Sequence, residues 1–142
     1  MQRSALDVLE SLTVGSVAVT ARAIAQSGVE LTFAQWRVLQ VVADGPDGRT
    51  VGEIAARLAA ANSPASRLVT RMRRRNLVTT EQDERDHRAT RVRLTEQGRE
   101  VRDRVIARRR ALLAEAISAA PDLPEASVER LAELGSILRA FE

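Results

Sequence analysis

The chain has 142 residues, 44% of them hydrophobic but only 2% aromatic, which is material for one domain with a mostly aliphatic core. It has no cysteine and one histidine, His87, so disulfides, thiolate metal sites and thiol redox sensing are excluded and no metal site is expected. Net charge is only +3, yet residues 49–93 hold eleven Arg against five acids, net +6, while residues 1–48 and 94–142 are both net negative.

A local excess of this kind is the footprint of a surface that meets phosphate. Every basic residue is Arg and none is Lys. Genomic base composition accounts for that preference, but not for the clustering. With 29% charged residues and no long uncharged apolar run, no membrane span is expected. The N-terminus lacks a basic segment followed by an apolar one, so no secretory signal is expected and the cytoplasm is the expected location.

Residues 4–27 read as a helix, with Leu6, Leu9, Val17, Ala21 and Ile24 near one side. Gly15 and the Val and Thr around it are poor helix formers, each costing a few tenths to about 1 kcal/mol against Ala. Such a helix needs burial, and packing against a partner subunit is expected. Gly28 suits the left-handed position that ends a helix.

In the next helix Thr32 and Gln35 have capping-box spacing, and Leu31 can staple onto Trp36. Its buried stripe is predicted to be Trp36, Leu39, Val42 and Ala43, before Gly45, Pro46 and Gly48 break the chain. Trp36 reads first as a core residue. If a cavity opens beside it, it also walls a ligand pocket.

Residues 50–95 organise the chain: helix, turn, second helix, then two short strands. Thr50 and Glu53 form another capping box. The second helix, about residues 63–75, can be capped by Asn62 or Ser63, with Pro64 in its first turn. Ala65, Leu68, Val69 and Met72 fall inward at helical spacing. That leaves Ser63, Ser66, Arg67, Thr70, Arg71 and Arg74 as the residues expected to reach base edges and phosphates in a major groove. Alone, the run Arg71 to Arg75 would be a solvated charged face. Its place on a second helix, ahead of an arginine-tipped hairpin, points to DNA. Asn76 tolerates the left-handed conformation at a helix end.

LVTTEQ and ATRVRL alternate as strands, with DERDHR as the tip between them. Arg85 and Arg88 in this tip suit a narrow minor groove, whose negative potential attracts arginine. Asp86 is expected to orient Arg88, and His87 to be a solvated loop residue or a neighbour of phosphate.

Thr95 is the predicted N-cap of a long helix over residues 95–120. Arg99–Asp103 and Glu100–Arg104 are spaced as ion pairs, and Val101, Val105, Leu112 and Ala116 lie on its buried side. After a turn at 121–124, residues 125–141 carry Val128, Leu131, Leu134, Leu138 and Phe141 at three- and four-residue spacing. A small winged module does not need these flanking apolar helices. Dimerisation explains them, and places two recognition helices one DNA turn apart, about 34 Å.

The expected fold is mainly α with a small β-hairpin wing (α+β): a winged helix-turn-helix with N- and C-terminal dimerisation helices. The expected divisions are 1–30 for the N-terminal dimerisation helix, 31–95 for the DNA-binding domain and 96–142 for the C-terminal dimerisation helices. The partners are then double-stranded DNA with a pseudopalindromic operator and a second copy of the chain. No Gly-rich phosphate loop, nucleophile with a His base or metal cluster suggests an enzyme, and no cofactor is expected. The competing reading is a winged-helix protein-interaction module without a DNA operator.

LTFAQWRVLQVVADGP, TVGEIAARLA, SRLVTRMRRRNLV and DERDHRATRVRLTEQG, with the closing two helices, resemble the multiple antibiotic resistance regulator (MarR) family over nearly the whole chain. The resemblance implies a homodimeric transcriptional regulator, usually a repressor, released by a small anionic aromatic or lipophilic effector bound between the dimerisation helices and the DNA-binding lobe. It places Arg88 on the family's wing-tip arginine, Asp86 on the acid that steadies it, and Ser66, Arg67, Thr70 and Arg71 within the recognition helix. The chain departs from the pattern at Ala59-Ala60-Ala61-Asn62, where members often carry Gly, and at Asn76, another common Gly. Its first helix also lacks the usual Leu/Arg pattern.

Overall fold

A computed structural model describes residues 4–119 and 124–140. Helix α1 (Ala5–Gln26) starts in a capping box in which Ser4 accepts from the Asp7 N–H and the Asp7 carboxylate accepts from the Ser4 N–H. Gly28 then turns the chain with φ +70°. Helix α2 (Phe33–Ala43) has the predicted Thr32–Gln35 box. Strand β1 (Arg49–Thr50) leads directly into α3 (Val51–Arg57), which is capped by Thr50 and Glu53. Helix α4 (Asn62–Arg74) is followed by β2 (Val78–Gln82), β3 (Thr90–Leu94), α5 (Glu96–Ser118) and α6 (Glu125–Arg139). The predicted end residue Phe141 and the turn residues 121–123 lie outside the described residues.

The fold is a winged helix-turn-helix. The wing is a three-stranded antiparallel sheet in the order β1-β3-β2, with Arg49 opposite Val92 and Val78 opposite Leu94. Strand β1 was not visible in the sequence, because two residues are too few to show alternation.

One core lies beneath the helix-turn-helix. Val38, Leu39, Val42, Ile54, Val69, Met72, Val78 and Val92 close it, and Leu31, Leu68, Leu94 and Val101 pack around it. A second, smaller cluster joins Ala23 and Ile24 of α1 to Trp36 of α2 and Val105 of α5, again with Leu31 alongside. The stripe predicted for α4 is correct: Ala65, Val69 and Met72 are buried and Leu68 half-buried. In α2, Ala43 is exposed, while Gln35, Val38 and Val41 join the buried set, because the helix is packed on several sides at once.

The first helix departs further from its predicted face. Thr20, Ala23 and Ile24 are its buried residues, while Leu6, Val17 and Ala21 are exposed. A helix rich in Ala, Val and Thr has no single apolar stripe to read. By length and composition alone α1 is also apolar enough to cross a membrane, with mean hydropathy 1.4 over an 18-residue window, contrary to the expectation of no such run. Its last turns are nevertheless built into the second cluster against α5. In α5, Val105 is buried and Val101 and Leu112 half-buried, but Ala116 is exposed. Asp103 pairs with Arg102 at 3.2 Å and not with Arg99, and among the described residues no Glu100–Arg104 pair forms.

The junction between α4, β2 and α5 is tight. Thr95 Oγ1 donates to the Asn76 carbonyl at 2.6 Å and accepts from the Gly98 N–H at 2.9 Å. A Cβ on Gly98 would lie 2.0 Å from the Leu77 carbonyl oxygen, so only glycine fits there.

Candidate nucleic-acid interface

Helix α4 begins one residue before the predicted start. Its N-cap is Ala61, not Asn62 or Ser63, and no side chain caps it. Asn62 and Ser63 therefore sit in the first helical turn. The turn before it is unusual too: Ala59 has φ +51°, a left-handed conformation that costs a residue with a Cβ about 1–2 kcal/mol. At the other end Asn76 takes φ +56°, as expected of it.

Ser63, Ser66, Arg67, Arg71 and Arg74 are exposed and Thr70 is half-buried. These residues share the outer side of α4, as their three- and four-residue spacings require. The arginine run divides by role. Among the described residues Arg67, Arg71 and Arg74 have no ion-pair partner, whereas Arg73 Nη1 donates to Thr80 at 3.3 Å. Arg75 turns back to α2, donating to Gln35 Oε1 at 3.3 Å and to the Glu30 carbonyl. It bolts the end of α4 to the loop before α2, joining segments far apart in sequence.

In the wing, Arg85, Asp86, His87 and Arg88 are exposed, His87 among them as a solvated loop residue. Asp86 Oδ1 accepts from the backbone N–H of Arg88 at 3.0 Å, so it shapes the tip through the main chain and not by holding the guanidinium. The acid that clamps an arginine is Asp83, which is buried and accepts from Arg91 through both oxygens at 3.2 Å. Arg91 holds the Asp83 carboxyl below its ordinary value, with the Arg85 N–H helping and burial opposing. Beside it Asp47 takes Arg93 at 2.9 and 3.0 Å, and Arg93 also meets Glu81. The wing base is thus laced by ion pairs, while Arg85 and Arg88 at the tip have none among the described residues.

Helix and wing share a groove. Ser63 and Ser66 from α4, Asp86 and Arg88 from the wing, and Thr50 and Gly52 from the start of α3 line one concavity of about 530 Å³.

A second cleft, about 480 Å³, opens between α1, α2, α3 and α5. Trp36 is on its wall, 2% exposed, with the Arg109 guanidinium 5.6 Å from the ring centroid. Arg37, Arg57, Arg102 and Arg109 line it, against one acid among the described residues, Asp44. Burial pushes the Arg109 guanidinium down from its ordinary value, and the charge of Arg102 adds to this. Arg102 Nε is held by Gln40 Oε1 at 3.0 Å.

Residues 29–89 match the model of the MarR family. The whole chain is similar to RV1404 from Mycobacterium tuberculosis, 25% identical over 96% of this chain and 95% of that one, with a TM-score of 0.79. A MarR family protein from Bacillus stearothermophilus is 27% identical over 99% of this chain and 94% of that one, with a TM-score of 0.70. The likeness to that family is carried by residues 29–89 and by solved structures that span nearly the whole chain. A third solved structure, CouR from Rhodococcus jostii RHA1 bound to p-coumaroyl-CoA, has the same fold: 23% identity, 92% of this chain and 89% of that one, TM-score 0.68. No curated protein sequence matches the chain.

The outward residues on α4 and the wing tip lie on the faces the sequence predicted, Thr70 being half-buried. None of the arginines of the second cleft was read from the sequence as a pocket residue. Arg102 and Arg109, seven residues apart on one helix with Val105 buried between them, carried the signal: a helical face that mixes apolar and cationic positions.

Proposed function

We propose that this chain is a member of the MarR family and a homodimeric, sequence-specific regulator of transcription, a repressor that binds a pseudopalindromic duplex operator and is released by a small aromatic or anionic effector. In this reading α4 enters the major groove through Ser63, Ser66, Arg67, Thr70, Arg71 and Arg74. The wing tip, with Arg85, His87 and Arg88, lies along the neighbouring minor groove, and Asp86 shapes it. The observation that carries the reading is the shared groove: Arg88 of the wing and Ser63 and Ser66 of α4 line one concavity. Arginines without an ion-pair partner among the described residues flank it on both elements. Such cations break no ion pair on meeting phosphate and release its counterions.

Pairing is supported by the apolar surface left open on the outer helices. Leu6 is 67% and Ile117 61% exposed, and Leu12, Val14, Leu113, Val128, Leu131 and Ile137 are exposed with them. A second copy covering these faces would supply the burial that the poor helix formers of α1 need.

The cleft beside Trp36 is the proposed effector pocket. Its four arginines suit an anion and its tryptophan an aromatic ring. The solved neighbour CouR, which holds p-coumaroyl-CoA, supports a ligand of that general kind. A regulator of this type works in the cytoplasm beside its DNA and performs no catalysis.

Footprinting on the DNA upstream of the protein's own coding region, at several salt concentrations and with and without aromatic acids, tests the reading. A protected, symmetric site whose log affinity falls steeply with log salt is expected. Absent or salt-insensitive binding would favour the protein-interaction module instead.

A further inference from the structure

Asp44, the last residue capping α2, stands at an intersection. One of its carboxylate oxygens, Oδ2, lies 3.6 Å from Arg57 Nη1 at the end of α3 and 3.6 Å from Arg49 Nη2 in β1. A single acid therefore ties the first helix of the DNA-reading pair, the strand at the wing base and the end of α2 together. Asp44 and Arg57 both line the cleft beside Trp36, and among the described residues Asp44 is the one acid that lines it. Two other arginines of the cleft are held differently. Arg102 rests on Gln40, and Arg109 on the Trp36 ring. The tie to Asp44 is also the weak one, since the Asp44 side chain is 68% exposed and solvent screens both pairs.

We propose that Asp44 holds Arg57 in place of the effector's anionic group, so that an anion entering the cleft takes over Arg57 and unties α3 and β1 from the end of α2. This rests on the effector-pocket reading above and adds to it the route by which the pocket reaches the DNA-binding face. An anion beside Asp44 both competes for Arg57 and repels the carboxylate. Arg49 then keeps Glu53, at 3.8 Å, but releases α2. Since α3 packs directly on α4 and β1 on β3, the loosened elements are those that present the recognition helix and the wing.

The experiment compares wild type with Asp44→Asn and Asp44→Glu, reading Trp36 fluorescence and affinity for the upstream DNA during titration with salicylate, and with neutral salicylamide as control. Salicylate, unlike salicylamide, is expected to shift Trp36 and weaken DNA binding in wild type. Asp44→Asn is expected to bind salicylate more tightly, to bind DNA up to about fivefold more weakly without any ligand, the limit for an exposed pair, and to respond little to salicylate thereafter. Asp44→Glu, which keeps the charge, is expected to retain the response. If Trp36 responds normally but Asp44→Asn keeps wild-type DNA affinity and the full salicylate response, this proposal is overturned and the pocket reading survives. If Trp36 in wild type is unmoved by salicylate at every concentration, the pocket reading falls and the proposal with it.

Discussion

Asp83 and Arg91 face each other across the wing hairpin, both carboxylate oxygens accepting from one guanidinium at 3.2 Å. The pair is largely shielded, with side-chain exposures of 7% and 15%. It sits between the strands and the tip, so the loop from Asp83 to Ala89 hangs from a fixed point.

Arg91 depresses the folded-state value of Asp83, so its contribution is complete above the unfolded carboxylate's range and is lost as pH falls through the lower folded value. Asp83→Asn should therefore lower stability at neutral pH. The difference from wild type should shrink below about pH 4. Thermal melts of both proteins from pH 7 to about pH 2.5 check this, and a gap that widened on acidification would contradict the pairing.

Arg88 has no side-chain partner at the wing tip among the described residues. Arg88→Ala should weaken binding to every DNA sequence by a similar factor. It should also flatten the plot of log affinity against log salt by about 0.9 for each phosphate no longer neutralised. Sedimentation should show an unchanged assembly state. Unaltered operator affinity would remove the wing from the interface.

Arg67 and Arg75 lie at two places along one stretch of chain but should fail differently. Arg67→Ala is expected to change base preference at one position, by about 1–3 kcal/mol if the guanidinium forks onto a base edge there. Arg75→Ala removes hydrogen bonds to Gln35 and the Glu30 carbonyl. It should cost about 1–2 kcal/mol of stability and leave base preference alone. Selection from a randomised operator library, beside urea denaturation, separates the two.

Ala59 sits in the left-handed region. Ala59→Gly should relieve the strain of its Cβ while adding chain entropy to the unfolded state, for a net gain of about 0.5–1 kcal/mol. A denaturation midpoint unchanged or lowered by the substitution would show that this turn carries no such strain.

Much of the architecture was legible because caps are local. The Thr32–Gln35 and Thr50–Glu53 boxes and the Thr95 cap require only residues three apart, and all three form. The inward stripe of α4 was equally readable, since polar and apolar residues there are cleanly separated. What escaped depends on packing between distant segments. Nothing near Arg75 in sequence reveals Gln35, and nothing near Asp83 distinguishes it from Asp86 as the acid that clamps an arginine. The cleft beside Trp36 has walls on four helices, so none of its arginines stands out within its own helix except through spacing.

The fit of Gly98 against Leu77 has a mechanical consequence. Helix α5 leaves that joint as a lever of 23 residues, about 35 Å at 1.5 Å per residue. At that length a tilt of about 5° moves the far end by roughly 3 Å, close to the rise of one base pair. In a symmetric pair, tolerance for half-sites a single step too near or too far would thus be set by how stiffly a missing methyl group lets two backbones meet.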